Sequence, residues 1–168
     1  MTRKFFLIAA ALATLSACEV ADITQAPIPY TATKNLKAKG THNFTARTFV
    51  KSSKGRNEVS GIPCTFTADG FKASFVTPAL VTTPDMGQRT PPASITCKYK
   101  DVSKLEIMPA VNITVRDITA SARSYGYGSG LVGLVVAGIS ESSQKSRRDA
   151  TLDVYGYNNV IVQLDIED

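Results

Sequence analysis

A chain of 168 residues is the size of one domain with room for a short tether. Nineteen basic residues stand against fourteen acidic ones, a formal charge of +5. No nucleic-acid motif accompanies that charge, so it argues against a nucleic-acid binder. The basic residues are scattered in three groups (Lys34, Lys37, Lys39; Lys51, Lys54, Arg56; Lys145, Arg147, Arg148) and read as solvated loops with a weak attraction to anionic surfaces.

In chain order, Arg3 and Lys4 precede an apolar run, Phe5 to Ala13, and small residues lead into Leu15-Ser16-Ala17-Cys18. This is the layout of a secretory signal peptide. The run is well short of the ~20 residues a spanning helix needs. Leu15-Ser16-Ala17-Cys18 resembles a lipobox, the signal of bacterial lipoproteins. The resemblance implies cleavage after Ala17 and lipid on Cys18, and thus a membrane partner held through that lipid. Two or more acyl chains anchor stably, at ~0.8 kcal/mol per buried CH2. Glu19 stands where an Asp would signal retention in the inner membrane, so the outer membrane is expected, with the domain facing the periplasm. Loss of Arg3 and Lys4 leaves 17 basic residues against 14 acidic, so the mature charge is +3.

Residues 18–42, with Pro27, Pro29 and Gly40, read as a tether. From Asn43 the period becomes two, and Phe44, Ala46 and Thr48 share one face of a strand. Ser52 to Asn57 reads as a turn. A second strand runs from Val59 to Thr67, the turn Ala68-Asp69-Gly70 follows, and Phe71, Ala73 and Phe75 line a third. Pro78, Pro84, Pro91 and Pro92 punctuate an expected irregular connection. Ala93 to Tyr99 is the next strand, and Val111, Ile113 and Val115 alternate in another. Leu131, Leu134, Val135 and Gly138 have helical spacing, which places a short glycine-rich helix at about 130–144. Leu152 to Ile166 reads as a long final strand, with Val160, Val162, Leu164 and Ile166 on one face. The fold expected is mainly β, a small antiparallel β-sandwich over 43–168 with that one helix near the C-terminus.

Three cysteines are present, and one is committed to lipid. Cys64 and Cys97 then form an even pair in an oxidising compartment and read as a disulfide, worth roughly 3–4 kcal/mol in the chain-entropy model. Two free thiols used in redox or metal chemistry are the alternative, but no Cys-x-x-Cys occurs. The stretches Gly61-Ile62-Pro63-Cys64, Gly70-Phe71, Thr77-Pro78 and Ile95-Thr96-Cys97-Lys98 resemble the PEGA-like β domains of bacterial envelope proteins. Ile62 departs from their usual small residue, and Tyr99-Lys100 stands where Gly-Tyr is expected. Gly130-Leu131-Val132-Gly133 and Tyr157 resemble the tail of some such lipoproteins. The resemblance implies a small β-sandwich, a disulfide and no known catalytic site.

Residue chemistry points the same way. His42 is the only histidine and lies at the tether edge, no Gly-x-Ser-x-Gly occurs, and no phosphate-binding loop is present. The carboxylate pairs Glu106 with Asp117 and Asp153 with Asp165 carry no pattern for acid–base work. A terminal acidic group, Asp165, Glu167 and Asp168, reads as solvated rather than as a metal site. Leu131 to Ile139 is a core helix or a membrane or partner contact, and is too short to span a bilayer. Tyr125, Tyr127, Tyr155 and Tyr157 are either sheet-surface residues or an aromatic binding face. The expectation is a protein without enzymatic activity or cofactor, lipid-anchored in the cell envelope, with a structural role or an envelope protein as partner. A periplasmic inhibitor of lysozyme type is the alternative, although such inhibitors offer an acidic loop and this chain is mildly basic.

Overall fold

In a computed structural model of the chain, the structure describes residues 22–53, 55–126 and 140–166. The strands are β1 (Thr31–Ala32), β2 (Gly40–Ser52), β3 (Gly55–Glu58), β4 (Ile62–Ala68), β5 (Phe71–Thr77), β6 (Ala79–Asp85), β7 (Ala93–Tyr99), β8 (Val102–Met108), β9 (Val111–Asn112), β10 (Tyr155–Gly156) and β11 (Val160–Asp165). Helix α1 spans Ile113–Gly126, and residues 140–147 are helical (α2). One sheet has the order β1-β5-β4-β7-β8 and is antiparallel throughout. The facing sheet has β2 at its centre, with β3, β6 and β11 as partners. The β-sandwich expected from the alternating sequence is therefore present, with one parallel pair, β11 on β2.

Alternation decides which side chains enter the core. Phe44, Ala46, Thr48 and Val50 on β2 are buried, as are Ile62, Cys64 and Phe66 on β4 and Phe71, Ala73 and Phe75 on β5. The sheets meet through rings: Phe44 lies 5.2 Å from Phe66, and Tyr157 lies 5.0 Å from Phe66 in an edge contact. Buried Thr48 and Thr77 satisfy each other with a hydroxyl hydrogen bond of 2.6 Å. Cys64 and Cys97 face each other directly across β4 and β7, and their sulfurs are bonded at 2.00 Å.

The connections give the sandwich two unlike ends. At the root end, only Pro78 separates β5 from β6, and the chain crosses there from one sheet to the other. Asp22 to Gln25 lie against Ser60 and Val76 to Pro78 at that end, and Gln25 Nε2 donates to Pro78 O at 2.7 Å. The chain then runs along the sandwich: Ile28 bridges Val81, and β1 pairs with Lys72 and Phe71. It reaches the opposite end at Lys34, where Gly40 pairs with Asp85 and the short ribbon β9–β10 closes. Helices α1 and α2 rise from that ribbon as an arm, so this is the arm end.

Several expectations need correction. The tether expected over 18–42 is paired into the domain from Ile28 onward. Ser52 to Asn57 is a hairpin that includes β3, not a turn alone. The irregular connection expected around the prolines contains β6, a full partner of β2. Leu80 O and Thr82 N bond to Ile28, so Pro84 has the same parity and aims its missing donor away from β2. The strand expected through Val111, Ile113 and Val115 ends at Asn112, and α1 begins there. The long final strand is broken into a 3-10 turn at Ala150–Leu152, β10 and β11. β8 was not expected at all: Leu105 and Ile107 face outward while Lys104 and Glu106 are half-buried, so its polarity runs against the usual pattern. Of the glycine-rich helix expected at about 130–144, residues 140–144 are helical, and Leu131 to Ile139 lies outside the described residues.

Candidate functional site

The arm end holds most of the organised polar chemistry. Asn112 is the last residue of β9, and its side-chain oxygen accepts from Val115 N at 3.0 Å, the side-chain-to-third-residue pattern of a helix N-cap. Its amide nitrogen donates to Asp153 Oδ2 at 2.6 Å and to Tyr155 Oη at 3.2 Å. Arg148, just past α2, donates from Nε to both Asp153 oxygens at 3.1 and 3.3 Å. Lys39 Nζ reaches the carbonyls of Thr151 and Asp153 at 3.2 and 3.1 Å. Asp85 Oδ1 accepts from Tyr155 N at 3.1 Å and from Gly87 N at 2.8 Å. These bonds tie the β10 side of the ribbon to the sandwich and β9, through Asn112, to that side.

The clamp sets the state of its groups. The hydrogen bond from Asn112 holds the Asp153 carboxyl below the ordinary aspartate value against the opposing effect of burial, and Arg148 adds to it. His42 sits beside Gly156, and its imidazole is held below its ordinary value by burial first and by the Arg116 charge second. Tyr157 is fully buried, donates to Pro91 O at 2.7 Å, and has its phenol pushed up by burial. Each group is held by its neighbours, Asp153 by Asn112 and Arg148 and Tyr157 by the carbonyl of Pro91.

The candidate residues of the sequence are dispersed. Cys18 lies outside the described residues, and Cys64 and Cys97 form a core crosslink far from the arm. Asp153 is at the arm end, whereas Asp165 pairs with Lys51 at the root end, so the two carboxylates do not meet. Glu106 lies on β8, 3.8 Å from Lys104, and Asp117 on α1 accepts from Arg116 at 2.9 Å. Glu167 and Asp168 lie outside the described residues, as do Tyr127 and residues 128–139. Tyr157 belongs to the core, which removes it from any aromatic binding face. Among the described residues no group of three His, Cys, Asp or Glu side chains is placed to hold a metal ion. No helix among them is long and apolar enough to cross a membrane.

Sequence reasoning gave Asn112 no role, and it did not bring Arg148 and Asp153 together. A signal for the first was available, since Asn before an apolar run is a helix-start signature. The alternation of Val111, Ile113 and Val115 masked it. No protein-family model, curated protein or solved structure matches the chain.

Proposed function

We propose that the protein is a lipid-anchored component of the bacterial cell envelope, held by acyl chains on Cys18 at the outer membrane, with a structural or protein-binding role and a PEGA-like β domain. The observation that carries this reading is the placement of the two ends. Cys18 is seven residues before Gln25, at most about 25 Å of extended chain. Gln25 is already fastened at the root end, and the clamped arm is at the other. Lipid on Cys18 would hold the root end near the bilayer and present the arm end away from it. A chain meant to bring a partner to a membrane surface gains from such a stand-off, because the presenting surface needs no flexible search. The disulfide supports an oxidising compartment.

The test has two parts. Mass spectrometry of the purified protein should find an N-terminal peptide that begins at Cys18 and carries acyl mass, and Cys18→Ala should leave the membrane fraction. Photocrosslinking residues are then placed at Ser142 in the arm and at Asp101 at the root end. A protein adduct from Ser142 and none from Asp101 supports the presenting role. An unmodified Cys18 removes the anchor, and adducts from Asp101 alone remove the role given to the arm.

A further inference from the structure

A cavity of about 250 Å3 opens at the arm end, between residues 34–37 on one side and the turn after β6 on the other. Both walls are fixed by hydrogen bonds. Thr33 N donates to Gly70 O at 2.8 Å and Lys39 N to Asp85 O at 2.7 Å, so the strap between them is tied down at each end. The opposite wall is the 3-10 turn Gly87–Arg89, locked by Thr90 Oγ1 donating to Gly87 O at 2.8 Å and by the Asp85 carboxylate on Gly87 N. Gly87 has φ of 64°, a conformation that favours glycine and lets the turn present Arg89 outward. Leu36 and Met86 supply apolar surface, and Pro91 is tied to the core through the Tyr157 hydroxyl.

The charge on these walls is unbalanced. Lys34, Lys37 and Arg89 face one carboxylate, Asp69, so the lining carries three positive charges and one negative, a net +2. Asp69 is taken by Lys34 at 2.6 Å. Lys37 and Arg89 form no ion pair with any described residue. The Lys34, Lys37 and Lys39 group is thus divided in use: one residue pairs, one clamps the arm, and one is left facing the cavity with Arg89.

We propose that this cavity binds a small organic oxyanion, a carboxylate or phosphate monoester on a short apolar body. Arg89 and Lys37 take the anionic oxygens, the guanidinium by its paired N–H donors. The body lies on Leu36, Met86 and Pro91. The volume is just below the usual range for small-molecule sites, which limits the ligand to a few heavy atoms beyond the anion. Walls held by these hydrogen bonds reduce the ordering cost on binding. The site stands independently of the lipid on Cys18 and of any partner of the arm.

The test is an NMR titration of the isotope-labelled full chain in a non-ionic detergent, with propyl phosphate and butyrate as probes and propanol as the neutral control. Saturable shifts of the amides at 34–37 and 86–90 with either anion are expected, and the tighter of the two names the oxyanion. The double variant Lys37→Gln with Arg89→Gln alters only exposed side chains, and should weaken binding about tenfold or more while leaving other amides in place. No saturable shift with either anion up to about 10 mM, the weak end of fragment affinity, overturns the proposal. Equal shifts with propanol, or a variant that binds as tightly as the parent, overturn it as well.

Discussion

Asn112→Ala tests whether the arm is held by one side chain serving two elements. The substitution removes the oxygen that accepts from Val115 N and the amide that donates to Asp153. Loss of an N-cap costs about 1 kcal/mol. Loss of a hydrogen bond to a charged carboxylate costs about 1.5–3 kcal/mol, and the low end applies because the buried Asp153 carboxylate keeps its ion pair with Arg148. Together this is about 2–3 kcal/mol on the arm, or about 30- to 150-fold in its opening equilibrium. Native-state hydrogen exchange should show that acceleration at the amides of α1, with β2 and β4 nearly unchanged, because the arm is attached through the short ribbon β9–β10. Asn112→Asp separates the two contributions: it keeps the cap but sets a second carboxylate against Asp153. Its α1 should open at least as readily as in the alanine variant at neutral pH and recover on acidification. Acceleration under threefold in Asn112→Ala, or equal acceleration in the sheets, would refute this account of the clamp.

Three further outcomes are expected. Cys64→Ala with Cys97→Ala should lower stability by roughly 3–4 kcal/mol in the chain-entropy model, a fall of about 6–16 °C in Tm by calorimetry, and thiol labelling of the native protein should find neither cysteine free. Gly156→Ala places a methyl group against the ring of His42 and should cost about 1–3 kcal/mol in urea unfolding; His42→Ala should relieve much of it, which a double-mutant cycle would measure. His42 is held below its ordinary value of 6.5, so its contribution is complete above that pH and is lost as pH falls through the lower folded value; urea midpoints compared at pH 7.5 and pH 5 should fall less for His42→Gln than for the parent.

The strands that bury one face were legible because burial imposes the period. β2, β4, β5 and β7 each carry apolar residues at alternate positions, and each was readable. The cysteine pair was legible from the count, once Cys18 was set aside for the expected lipid. The failures have specific physical causes. Prolines at 78 and 84 suggested a break, yet Pro84 occupies a position whose donor faces away from β2, where its loss is harmless. β8 shows the reverse pattern, with Leu105 and Ile107 outward, and its half-buried Lys104 and Glu106 protect a sheet edge from further pairing. At Asn112 two readings compete over the same residues, and the side-chain cap decides for helix against a short β pattern. The clamp and the basic cavity were not legible, because Lys39, Asp85, Asn112 and Asp153 converge only through the pairing of β2 with β6 and β9 with β10.

The same topology explains why organised polar chemistry gathers at one end. At the root end the connections are short: one residue joins β5 to β6, and two join β7 to β8. Short turns leave little backbone to shape a surface. At the arm end the chain spends residues 33–39 and 86–92 between strands, and of the described residues also 113–126 and 140–154. Those long connections leave backbone groups that the sheets cannot satisfy, and the buried Asp85 carboxylate takes two of them, Gly87 N and Tyr155 N. Two cations are used in the same place: Lys39 donates to the carbonyls of Thr151 and Asp153, and Arg148 pairs with the Asp153 carboxylate. The cations left over, Lys37 and Arg89, then face solvent from fixed walls. Variation that alters binding without loss of fold should therefore concentrate at 34–37 and 86–89, whereas changes at Asp85, Asn112 or Asp153 would alter both together.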